Sequence, residues 1–375
     1  MRKTKISVYS RDVLKELAVQ YPDKWNKVQS KNKEKWLMGT DFPTYKQLVD
    51  ISKAFKIPFG YLFLDSLPKI DLPVIHFRTL RPQDKNEPSE QLKEAILLIK
   101  KYQEWTKDFL IEWGSEPLPF AGKYTTTTPI EEVVQKMREI LGVRTTWAAL
   151  QISWQKAFNY LVSTFEKAGI YVSVSTLAED NTHSQLTAPE VRGFVLYDEY
   201  APFVFVNNND FLSAKIFTLM HELAHILVGQ SASFDLAYLQ THENEVEKFC
   251  NQCAAEFLVP TAEIEPIQDI NEETYQILAK RFKVSPLLIA RRLLDLKRIT
   301  QTEYKKFFQI YQETTPKKRS NTSKANFYKM AVLRYGKKFL QTLKYAYQAE
   351  HLSERDLCHL LNLNLSTVHK LFEKV

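Results

Sequence analysis

The stretch FTLMHELAHILVG, residues 217–229, is apolar at most positions yet carries His221, Glu222 and His225 in its middle. The apolar positions run on as one continuous helical pattern through these three residues. Residues four apart lie about 40° apart around a helix axis, so His221 and His225 leave from one face and can share a metal ion. Glu222 is turned about 100° from His221, which lets it reach a water molecule at that ion without displacing either imidazole.

Two imidazoles leave a catalytic zinc site one protein ligand short. The next helical stretch, VEKFCNQCAAEFLVP at 246–260, has Glu247 and Glu256, with Glu245 and His242 just ahead of it. Glu247 and Asn251 stand four apart, so one face offers a carboxylate to the metal and an amide to orient a ligand imidazole. Glu247 is therefore the expected third ligand and His242 the alternative. Cys250 and Cys253 form a lone CxxC, with Cys358 far along the chain; without a second pair they are expected to pack as small apolar side chains.

Moving outward, GIYVSVSTL, RGFVLYD and APFVFVNN alternate or run apolar with β-branched and aromatic residues, the pattern of a small sheet. Helical periodicity fills EQLKEAILLIKKYQEWTKDFLIEW, IEEVVQKMREILGV and a run from about 147 to 167, with further helices expected over about 213–228 and 244–258. Three domains are expected: a helical unit over 1–66, a metal-binding domain with supporting helices over 67–312, and a basic helical domain over 313–375. Within the last, SERDLCHLLNLNLSTVHKLF reads as two short helices around an Asn-Leu-Asn turn, with Ser353 and Ser366 as N-caps.

A chain of 375 residues exceeds what one core usually holds, and 44% hydrophobic with 25% charged residues excludes a disordered or collagen-like protein. Three cysteines and the polar start MRKTKISVYSRDVLKEL exclude a disulfide scaffold and point to a cytoplasmic location; no apolar run is long enough to span a membrane. The charge of +7 is unevenly placed: ten Lys/Arg face four Asp/Glu in the first 40 residues, and 314–349 holds nine Lys/Arg and no acid. Such segments attract polyanions or keep a tail soluble, so DNA binding and a solubility role both stand for either end, and charge alone does not decide between them.

The pair FTLMHELAHILVG and VEKFCNQCAAEFLVP resembles the ImmA/IrrE family of zinc metallopeptidases. In that family a HExxH helix is followed by a helix of the form E-x-x-x-N ending in Ala-Ala-x-x-Leu-x-Pro. The resemblance implies an α+β fold, mostly helical, with a small sheet packed on a gluzincin-like HExxH core and helical domains on both flanks. It implies one zinc ion held by His221, His225 and Glu247, with Glu222 as general base. WLMGTDFPTYKQLVDISKAFKIPFGYLFL resembles the C-terminal half of an XRE-type helix-turn-helix, while YPDKWNKVQSKNKEK departs from it where a DNA-reading helix would lie; DNA binding and a docking role both stand for this unit. The resemblance extends to VSPLLIARRLLDL and NFYKMAVLRYGKKFLQTLKYAYQ.

The implied function is a site-specific endopeptidase that cuts a cytoplasmic protein, an XRE-type repressor, in stress, mobile-element or phage-defence control. A DNA-binding regulator using the metallopeptidase fold as a sensor, and a toxin–antitoxin component acting by association, are the alternatives. Self-association as a homodimer is a further option. Candidates for stabilising the oxyanion are His242, Tyr238 and Arg192. APFVFVNN is either an edge to which a peptide substrate adds as a strand or an interior strand.

Overall fold

The computed structural model describes residues 5–55, 57, 59–67, 89–176, 191–230, 232–234, 245–264, 270–314 and 326–375. The chain divides into two units, Met1–Asp71 and Leu72–Val375. Among the described residues no helix is long and apolar enough to cross a membrane.

In the first unit, Ser10 opens α1 (Arg11–Gln20) by accepting a hydrogen bond from the Val13 amide. Pro22 stands in the first turn of α2 (Pro22–Lys27), where a missing N–H costs nothing. This short helix occupies the stretch that departs from the helix-turn-helix pattern. Gly39 closes α3 (Lys33–Met38) in the left-handed conformation expected of it. Thr44 and Gln47 bond reciprocally ahead of α4 (Tyr45–Phe55), the Gln47 carboxamide oxygen accepting from the Thr44 amide at 2.8 Å. Leu14, Leu17, Trp36, Leu48, Ile51 and Leu62 form the core of this unit.

The second unit is built on alternation. Its helices α5 (Glu90–Glu112), α6 (Ile130–Leu141) and α7 (Trp154–Lys167) lead into strands β1 (Tyr171–Ser175), β2 (Gly193–Leu196) and β3 (Phe203–Asn207). Helix α8 (Leu212–Val228), strand β4 (Ala232–Phe234) and helix α9 (Glu245–Leu258) follow. The strand order is β1-β3-β2-β4, with β1 parallel to β3 and the other pairs antiparallel. Successive strand residues face opposite sides, and here both sides are apolar but differ in kind. Val172, Val174, Val195, Val204 and Val206 face the core that contains α8. Tyr171, Phe194, Leu196, Phe203 and Phe205 face a second core. The small valines let α8 lie close; the large rings fill the space under helices on the far side.

Helices α10 (Glu272–Phe282), α11 (Pro286–Asp295) and α12 (Gln301–Thr314) extend the valine-side core. Helices α13 (Phe327–Tyr335), α14 (Lys337–Gln348), α15 (Glu354–Leu361) and α16 (Leu365–Phe372) join α5 on the aromatic side. The helices read as a separate domain over 313–375 thus share their core with the sheet. Gln103 of α5 donates to the carbonyls of Leu196 and Ala201 at 2.7 and 3.0 Å, and Lys107 meets Asp198 at 2.6 Å.

Two local expectations change, and one open alternative closes. The run from 147 to 167 is broken: a short turn of helix ends at Ala148, and Ser153 caps a new start at Trp154. Ser353 caps α15, but the cap of α16 is Asn364, whose side chain accepts from the Thr367 amide, while Ser366 donates to it. The strand APFVFVNN is not an edge, because β3 lies between β1 and β2. The outer side of β1 is closed in turn by the junction of α13 and α14. The Ser173 hydroxyl donates to the Arg334 carbonyl there, and Gly336, at φ 84, has no room for a Cβ beside the Val172 carbonyl oxygen.

Candidate metal centre

Helix α8 runs through the valine-side core, and His221, Glu222 and His225 are all at most 1% exposed. Its C-terminus is fixed by chain from outside the motif. The amides of Gly122 and Tyr124 donate to the Ile226 and Leu227 carbonyls, each at 3.0 Å. Gly229 ends the helix at φ 80, and a Cβ there would stand 2.9 Å from the Cα of Gly122. Helix α9 packs alongside α8 and brings its first turn to the two imidazoles.

The three ligand atoms converge. Nε2 of His221 and Nε2 of His225 are 3.0 Å apart, and the Glu247 carboxylate oxygens lie 3.3 Å from each of them. Donors about 2.1 Å from a tetrahedral metal are about 3.4 Å apart, so this triangle has the size a zinc ion requires. His221, His225 and Glu247 are the one group of this kind among the described residues. Burial lowers the pKa of His225 against the opposing hydrogen bond and charge of Glu247. Burial also opposes ionisation of Glu247, but hydrogen bonds from His221 and His225 outweigh it and hold the carboxyl well below the usual range. The set is two imidazole nitrogens and one carboxylate, a donor combination that suits zinc.

Glu222 is fully buried, and neither of its carboxylate oxygens has a hydrogen-bond partner among the described groups. Burial first, and repulsion from Glu247 second, raise its pKa well above the usual carboxylate value. An orphaned carboxylate in a core is costly unless something polar joins it in the working state. Asn251, one turn along α9 from Glu247, is 3% exposed with its Oδ1 also unpartnered.

Residues 165–294 match the family model of the IrrE N-terminal-like domain, Peptidase_M78. No curated protein and no solved structure matches the chain. The match runs from the end of α7 to the end of α11, so it takes in the sheet and both site helices, and it supports a metallopeptidase of the IrrE/ImmA type. It is narrower than the extent of resemblance expected from the sequence.

His242, the alternative ligand, and Tyr238 lie outside the described residues. Arg192 has its Nε 3.5 Å from the Asp210 carboxylate, an ion pair between the start of β2 and the turn before α8. Cys250 and Cys253 are free and buried. Burial pushes the Cys250 thiol well up and the Cys253 thiol to about 12, which keeps both protonated and unreactive.

Two residues that support the site were not singled out in the sequence. Arg138 of α6 donates to the Phe257 carbonyl at 2.6 Å and lies over the Phe257 ring. Arg292 of α11 donates to the Val259 carbonyl at 3.1 Å and to the Thr261 hydroxyl at 2.7 Å, and pairs with Glu256. Both guanidiniums therefore sit at the C-terminal end of α9, where orphan carbonyls and the helix dipole favour positive charge. The available signal was spacing: Arg138 takes the middle place in Val134, Arg138, Leu141, an apolar stripe.

Proposed function

We propose that the chain is a zinc-dependent endopeptidase that cuts a cytoplasmic protein at a specific site, with an XRE-type repressor as substrate. The observation that carries this reading is the convergence of His221 Nε2, His225 Nε2 and the Glu247 carboxylate at zinc-ligand spacing, with an orphaned Glu222 on the same helix. A zinc ion held by those three residues supplies Lewis acidity, making water a nucleophile near neutral pH and polarising the scissile carbonyl. Glu222 takes the proton from the attacking water and passes it to the leaving amine.

The experiment is zinc content together with cleavage of a co-encoded small helix-turn-helix repressor, wild type against Glu222→Gln. The expected result is one zinc per chain in both and cleavage only by the wild type. Equal repressor loss with the variant rejects the catalytic role, and absence of zinc after reconstitution rejects the metal site.

A further inference from the structure

Helix α5 carries two parallel rows in its C-terminal half. Trp105, Phe109 and Trp113 stand four apart and stack in succession, with ring centroids 5.5 and 5.7 Å apart. Glu104, Asp108 and Glu112 form the adjoining row, all exposed. The aromatic row runs along the seam with α14, where Tyr345 meets Trp113 edge-on at 5.1 Å; His351, after α14, meets it at 4.9 Å. Phe109 closes the floor at 7% exposure, while Trp113 remains 43% and Tyr345 48% exposed. Large rings left this open, in contact with one another, form a patch rather than scattered surface residues.

The acidic row is only partly matched by its own surroundings. Like charges four apart repel along a helix. Lys100 reaches Glu104 at 3.7 Å and His351 approaches Glu112 at 3.9 Å. Lys107 is drawn to Asp198, and Lys101 donates to the His359 carbonyl. A negative stripe beside exposed aromatics, on a chain of net charge +7, is complementary to a partner that is basic on one side and apolar on the next. We propose that this face of α5 and α14 docks a basic amphipathic helix of a partner protein. The rows span two turns, about 12 Å, and repeat every four residues, the spacing into which the ridges of another helix fit. Trp113 and Tyr345 supply the buried contact, and Glu104, Asp108 and Glu112 set orientation and encounter rate. The surface works independently of the metal centre.

The probe is a synthetic 15-residue helix of lysine and leucine, titrated into the full-length chain and followed by fluorescence anisotropy. Saturable binding is expected, weakened at least tenfold by Trp113→Ala with Tyr345→Ala. Asp108→Asn with Glu112→Gln should weaken it less and flatten its dependence on salt. Those surface changes leave the core intact, so they serve if the aromatic variant does not fold. Unchanged binding in the variants, or equal binding of a glutamate-for-lysine peptide, overturns the proposal. So does a wild-type dimer that becomes monomeric with Trp113→Ala, because the occupant is then a second copy of the chain.

Discussion

At the scale of single residues, the site separates holding a metal from using it. Glu247→Ala removes the one anion of the triad, and zinc content by elemental analysis should fall from one ion per chain to near none. Glu222→Gln changes a carboxylate that holds no ligand position, so zinc should stay bound while turnover falls by roughly 10²–10⁴, the usual worth of a general base. A variant that keeps wild-type turnover would remove Glu222 from the mechanism. The grouping of His221, His225 and Glu247 was legible because helical spacing puts the two imidazoles on one face whatever surrounds them. The choice of Glu247 over Glu245 and Glu256 was legible only through its pairing with Asn251, and the structure turns Glu256 to Arg292 instead. Nothing in the spacing indicated that Glu222 would be fully buried, because burial depends on what other segments bring to α8.

At the scale of elements, the position of Glu247 depends on how α9 is held. Arg138 and Arg292 bind the carbonyls at its end, and burial brings the Arg138 pKa down to about 10. Arg138→Met keeps much of the volume and leaves the Phe257 carbonyl buried without its donor, a loss of about 2 kcal/mol. A thermal midpoint several degrees lower is expected, partly recovered by Arg138→Lys; an unchanged midpoint would show the contact to be idle. Gly229→Ala tests the other site helix, since a Cβ there is forced both into left-handed backbone and against Gly122. The expected cost is about 1–2 kcal/mol. Helix boundaries around the site were close to those read from periodicity, as amphipathic patterns and caps are local. The strand APFVFVNN shows the limit of that approach: alternation says which residues share a face, but position within a sheet is decided by which strands arrive on either side.

At the scale of the molecule, the sheet has no solvent face among its three long strands. The alternation of valine with aromatic residues was visible in the sequence, but its meaning was not, because a ring facing water and a ring facing a distant helix look alike in one dimension. The rings of Phe203 and Phe339 meet edge-on at 5.7 Å, joining a strand to a helix more than a hundred residues later. If 313–375 were a separate domain, a chain ending at Thr314 would keep its metal centre and stability. The packing argues otherwise. Such a truncation removes Phe339 from beside Phe203 and Thr342 from beside Tyr171, rings that are each 2% exposed or less in the intact unit. At about 2 kcal/mol apiece this loses about 4 kcal/mol, a large share of the stability of a typical domain. The truncated chain should be insoluble or bind a hydrophobic dye strongly, and it should hold no zinc, although every metal ligand is present. A soluble, cooperatively melting, zinc-bound fragment would show instead that the valine-side core folds alone.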